Sequence, residues 1–262
     1  MKYLIILFFI PINIFSQDFI QRLEDSPRHH EWKKLVNNNR EEINTFIVFP
    51  EVAKKVPVII LIHENRGLNY WARSMADQIA EMGYIVLAPD LLSGTAPDGG
   101  GTTSFKNSDQ ARTAIYDLSP EKVTSDLDVV FKYGKNIDSA NGKVAVIGFC
   151  WGGSQTFKYA TNNSSISAAF VCYGTGPKNE IDYKNITAPI YGFYGGNDNR
   201  VNATIENSVS AMKKAKSFYE PVIYDGAGHG FFRAGENIDA SELNKNARTQ
   251  GLNRLKKLLS KL

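Results

Sequence analysis

Two stretches of the chain run apolar without interruption. One is Val56–Ile62, VPVIILI, and the other is the β-branched start of residues 143–154, KVAVIGFCWGGS. Runs of this length with no polar alternation suit strands buried on both faces of a parallel sheet. Helical spacing takes over in between. Trp71, Met75, Ile79 and Met82 recur at three and four residues and predict a helix over 70–82, stopped by Gly83. Further strands are predicted at Glu42–Phe49, ended by Pro50, and at 84–88, 166–172, 188–194 and 221–224. Further helices are predicted at 109–118, at 120–133 with Pro120 in its first turn, at 155–160 and at 202–214. A closing helix over 241–262 carries Leu252, Leu255, Leu258 and Leu259 as the apolar face of its second half. Strands alternating with helices make this an α/β chain: a mostly parallel, doubly wound sheet with right-handed crossovers, flanked by helices.

A chain of 262 residues that is 43% hydrophobic can build one sizeable core. The net charge of +3 is mild and the basic residues are scattered, so nucleic acid is not an expected partner. No internal repeat or low-complexity segment appears. Residues 1–16, MKYLIILFFIPINIFS, have a positive start at Lys2 and then an almost wholly apolar run over 4–14. That pattern predicts a secretory signal peptide cut after Ser16, an exported protein in the periplasm or medium, and a single domain over 17–262 with no stable membrane association after the cut; an uncleaved membrane anchor is the alternative. Residues 17–40 read as polar and irregular. His29 and His30 lie there with no second ligand cluster at metal spacing, so they read as surface loop; no metal or organic cofactor is expected. Cys150 and Cys172 are the only cysteines, too few for a disulfide framework.

The chemistry concentrates where the 143–154 strand ends. In Gly148-Phe149-Cys150-Trp151-Gly152-Gly153, glycines flank one residue between a strand and a predicted helix. A turn that tight has no room for flanking Cβ atoms and thrusts its central side chain above the sheet. It is the nucleophile-elbow pattern with cysteine in the place of serine. The plainer alternative is a glycine-rich turn around an inert, buried Cys150. Three other segments reach strand carboxyl ends, where parallel sheets place their chemistry: 63–67, 195–198 and 228–229. Asp198 and His229 follow Cys150 in the order nucleophile, acid, histidine of α/β-hydrolases. His229 would draw the thiol proton and Asp198 would orient the imidazole. A helix cap at Asp198 and a plain loop histidine at 229 are the alternatives. The backbone N–H groups of Trp151 and Asn65 are the expected oxyanion hole. The loop at 95–103, rich in Gly, Thr and Pro, is a candidate lid.

Taken together, GFCWGG, HENRGL, APDLL, GGND and GAGHGFF resemble the dienelactone hydrolase family, within the α/β-hydrolase fold, from about residue 26 to the C-terminal helix. The resemblance implies a cysteine hydrolase of small esters or lactones, with its triad on Cys150, Asp198 and His229. It implies that Glu64 pairs with the cysteine and controls its ionisation, against the plainer reading of a surface or arginine-paired carboxylate. It also implies that Arg233, four residues past His229, binds a substrate carboxylate. The family's second arginine would follow Asp90-Leu91-Leu92, where this chain has Ser93-Gly94. Arg66 is the candidate substitute, against the plainer reading of a solvated loop arginine. A serine-esterase-like acetyl esterase or peptidase, and a thiol redox or binding protein cycling Cys150 with Cys172, are the competing readings.

Overall fold

The computed structural model describes residues 14–37 and 39–262. Its strands are β1 (His29–Val36), β2 (Glu42–Phe49), β3 (Val56–Ile62), β4 (Ile85–Pro89), β5 (Ala140–Phe149), β6 (Ala169–Cys172), β7 (Ile190–Gly195) and β8 (Tyr219–Tyr224). They form one eight-stranded sheet in the order β1-β2-β4-β3-β5-β6-β7-β8. The β1–β2 and β2–β4 pairs are antiparallel and every later pair is parallel. This is the doubly wound α/β arrangement of the α/β-hydrolase fold.

The uninterrupted apolar strands have a direct explanation in the two cores. Val58, Ile60 and Ile62 enter one core, and Ile59 and Leu61 enter the other, so every residue of β3 is buried. The first face is covered by α4 (Pro120–Lys135), α5 (Trp151–Asn162) and α7 (Ile205–Lys214). The second is covered by α2 (Tyr70–Glu81), the short α8 (Phe231–Ala234) and α9 (Glu242–Leu259). A small satellite cluster of Leu92, Ala111 and Ile115 seats α3 (Ser108–Asp117) beside Trp151.

Residues 17–40 are not an irregular loop. They contain most of α1 (Ile14–Glu24) and all of β1, which pairs with β2 along eight positions. β1 is an edge strand whose side chains are mostly exposed, so it lacks the apolar alternation that marks a half-buried strand. Polar anchoring holds it instead. Arg28 donates to both oxygens of Asp77 on α2, at 2.8 and 2.6 Å, and Ser26 donates to the same carboxylate at 2.6 Å. His30 Nε2 lies 2.8 Å from it as well, so His30 is a structural partner of Asp77 rather than a loop histidine. The expected cleavage after Ser16 falls in the first turn of α1; residues 1–13 of the expected leader lie outside the described residues. No helix among the described residues is long and apolar enough to cross a membrane.

Two helix boundaries differ from expectation near the site, and one loop is tied down. α5 starts at Trp151 rather than at 155, directly after the elbow. The 202–214 helix is divided into α6 (Asn199–Asn202) and α7, because Asp198 caps a short first turn by accepting from Val201 N–H. The 95–103 loop is fastened at its far end. Thr102 donates to Asp90 through both its backbone N–H and its hydroxyl, each at 2.7 Å.

Candidate active site

The site is built on four strand ends. After β5 the chain turns at Cys150, which has φ 56° and ψ −114°. A non-glycine residue in such a conformation is strained, and strain of this kind is held only where the surroundings over-determine it. The glycines supply that constraint. A Cβ on Gly148 would meet Gly152 O at 2.1 Å, and one on Gly152 would meet Ile62 O at 2.3 Å. Helix α5 therefore starts in backbone contact with the exit of β3, and the Cys150 side chain stands at its N-terminus.

The next two ends are drawn together by backbone contact between loops. A Cβ on Gly195, which ends β7, would lie 2.5 Å from Gly228 O, beside the histidine. Asn197 N–H donates to Ala227 O at 2.9 Å, and Asn202 Nδ2 donates to Gly195 O at 2.8 Å. So braced, Asp198 is buried with Oδ2 2.5 Å from His229 Nδ1. His229 Nε2 lies 3.1 Å from Cys150 Sγ. A carboxylate only accepts, so the ring proton sits on Nδ1 and Nε2 is left to accept from the thiol. The three residues expected from chain order are thus in contact, in that order.

The fourth end is the loop after β3. The backbone N–H groups of Asn65 and Trp151 both act on the Cys150 sulfur and favour its ionised form. Both predicted oxyanion donors are thus near enough to the Cys150 sulfur to act on it. Burial works against them and raises the thiol above its ordinary pKa, and the nearby charge of Glu64 raises it further. Glu64 is itself buried and doubly held: Arg233 Nε donates to Oε2 at 2.9 Å and Tyr173 O–H donates to Oε1 at 3.3 Å. Arg233 is therefore engaged by Glu64, whose charge is the main reason its guanidinium is raised further above its ordinary value. Arg66 is exposed and makes no ion pair among the described residues. It lines a cavity with Arg73 one residue beyond Asn65.

Several residues around the site had no role assigned from the sequence. Tyr173 leaves β6 with φ 41° and packs its ring edge-on to His229, 5.1 Å between centroids. It links His229 to Glu64, and its position directly after a strand was the available signal. His63 is fully buried. Its Nδ1 lies 2.8 Å from Glu64 O, its Nε2 accepts from Leu91 N–H at 3.2 Å, and its ring stacks on Trp151. Burial lowers its pKa, and with Nε2 accepting a hydrogen bond the ring braces the loop that follows β3. Arg200, two residues past Asp198, favours the Cys150 thiolate through its charge. Both cysteines are free thiols; Cys172 is fully buried among apolar neighbours, which pushes its thiol well up. Among the described residues no group of three or more His, Cys, Asp or Glu could hold a metal ion.

The family model for the dienelactone hydrolase family matches residues 43–262. A protein of Methylorubrum extorquens named "Putative carboxymethylenebutenolidase" is 29% identical over 201 residues, covering 72% of this chain and 68% of its own. An Escherichia coli K12 protein of the same name is 30% identical over 187 residues, covering 67% and 68%. Among solved structures, a dienelactone hydrolase-like promiscuous phosphotriesterase from metagenomic libraries superposes with a TM-score of 0.72 at 20% identity. That match covers 89% of this chain and 98% of the other. With the elbow, the sheet order and the family match in agreement, the chain belongs to the dienelactone hydrolase family of hydrolases on the α/β-hydrolase fold.

Proposed function

We propose that this ester/lactone hydrolase works through a Cys150–His229–Asp198 triad and a thioester acyl-enzyme. The observation that carries the reading is the continuous contact Sγ–Nε2 at 3.1 Å and Nδ1–Oδ2 at 2.5 Å. Burial and Glu64 favour the protonated thiol at rest, so the proton has to move during acyl transfer. His229 Nε2 takes it as the sulfur attacks the acyl carbon. The carbonyl oxygen becomes an oxyanion facing the Trp151 and Asn65 amides, whose charge-assisted hydrogen bonds stabilise it. When the acyl C–O bond breaks, His229 returns its proton to the leaving oxygen. Water then gives a proton to His229 and attacks the thioester, which releases the acid and the Cys150 thiol. Asp198 holds the ring tautomer and stabilises the imidazolium.

Glu64 modulates the ionisation of Cys150, in keeping with the effect of its charge on the thiol. The substrate is a small ester or lactone. Lys2 followed by the apolar run over residues 4–14 supports export of the enzyme. Cys150→Ala tests the triad directly: turnover of 4-nitrophenyl acetate should fall by roughly a thousandfold or more. Full turnover in that variant would refute it.

A further inference from the structure

One histidine beside the reacting sulfur has no task in the hydrolysis scheme. His63 follows β3 directly, at 0% exposure, and both of its ring nitrogens are engaged. A carbonyl oxygen only accepts and a backbone N–H only donates, so the partners fix the tautomer. Nδ1–H donates to Glu64 O at 2.8 Å, and Nε2 accepts from Leu91 N–H at 3.2 Å. Neither nitrogen is free for proton transfer.

The acceptor gives this arrangement its meaning. Glu64 O belongs to the same peptide unit as Asn65 N–H, one of the two amides that act on the Cys150 sulfur. A peptide unit is planar, and in its trans form the C=O and N–H point to opposite sides. Holding the oxygen therefore aims the N–H. Glu64 O is held twice, because Gly67 N–H also donates to it, at 3.3 Å. With both lone pairs of the oxygen in use, the plane of this peptide has little freedom. Donation into the C=O also polarises the peptide and strengthens its N–H as a donor.

The same ring reaches the residue that carries the other amide. It stacks on Trp151, with 5.7 Å between centroids and 15° between planes. Trp151 is the first residue of α5, and its N–H is the second donor to the sulfur. The bond from Leu91 N–H ties the ring to the exit of β4. One buried side chain thus touches the peptide bearing one donor and the residue bearing the other.

We propose that His63 is a positioning residue for acyl transfer: it aims Asn65 N–H through Glu64 O and seats Trp151 through the stack, so that both amides meet the oxyanion together. The inference rests on the Cys150 hydrolase reading and adds a residue to its machinery.

The test compares His63→Gln with His63→Asn. A glutamine amide reaches the Nε2 position and can accept from Leu91 N–H, whereas an asparagine amide lies near the Nδ1 position and can donate to Glu64 O. For 4-nitrophenyl acetate, kcat should fall by roughly a hundredfold in His63→Gln while KM stays close to wild type. His63→Asn should regain roughly tenfold of that loss. The limiting high-pH rate of Cys150 alkylation by iodoacetamide, a reaction that forms no oxyanion, should be unchanged in both. Trp151→Leu and Trp151→Phe give a second reading at a partly exposed position, and they decide the matter where the His63 variants fail to fold. The leucine removes the stacked ring but keeps the amide, so it should lose more in kcat than the phenylalanine. Equal kcat within the pair that is read, or a loss in acylation matched by the same loss in alkylation, would overturn the inference and leave the triad standing. A wild-type protein without turnover of the ester would overturn both.

Discussion

Gly152→Ala is the most exacting test of how the elbow is built. Gly152 is the second residue of α5, and a Cβ there would lie 2.3 Å from Ile62 O and 2.4 Å from His63 O. Contacts become ordinary only at 3.4 Å, so the start of the helix must retreat by about 1 Å. Neither obstacle can yield by changing rotamer, because both are backbone carbonyls of residues at 0% exposure. Overpacking at such a point costs about 1–3 kcal/mol. The retreat also carries the Trp151 N–H away from its proposed oxyanion position, and a 1 Å misplacement can cost roughly a hundredfold in rate. Gly228→Ala is the matched comparison. It directly precedes His229 of the proposed triad, yet a Cβ there meets only Asn244 Oδ1, at 3.9 Å. Urea unfolding and 4-nitrophenyl acetate turnover should show losses of both kinds in Gly152→Ala, with Gly228→Ala close to wild type in stability. A Gly152→Ala protein indistinguishable from wild type in both measurements would refute the reasoning.

Two further perturbations follow from the electrostatics. Glu64→Gln removes a negative charge that disfavours the Cys150 thiolate, so the pH midpoint of Cys150 alkylation by iodoacetamide should move to lower pH; a midpoint that stays or rises would count against the assigned direction. Burial opposes ionisation of Asp77, but hydrogen bonds from His30, Arg28 and Ser26 outweigh it and hold the carboxyl well below the usual carboxylate range. The unfolded chain then binds that proton more readily, so the contribution to stability is complete above about pH 4 and is lost as pH falls below it. Asp77→Ala, which leaves the partly buried Arg28 and His30 without their shared partner, should cost about 1–3 kcal/mol at pH 7 and distinctly less at pH 3, read by denaturant unfolding. An equal cost at both pH values would refute the assignment.

The strands that read clearly from the sequence were those buried on both faces. β3 and β5 carry apolar residues toward two cores at once, so their pattern needs no knowledge of partners. β1 was illegible for the opposite reason. Its exposed edge has no hydrophobic signature, and the anchoring through Arg28 and His30 depends on Asp77, 49 and 47 residues away. Tyr173 was missed in a similar way, since a tyrosine after a strand acquires meaning only when His229 and Glu64 are found against it.

The sequence by itself determined the fold class, the hydrolase family and the order along the chain of the residues proposed to act. Glycines around Cys150 can be read locally because a turn without room for a Cβ excludes every other residue. Asp198 and His229 could be placed at strand ends because strand and helix alternation implies a parallel sheet. Only the tertiary structure decided which groups meet. It brought Cys150, His229 and Asp198 into one chain of contacts and tied Arg233 to Glu64. Those relations are set by distances between segments far apart in the chain, which no local pattern of residue types encodes.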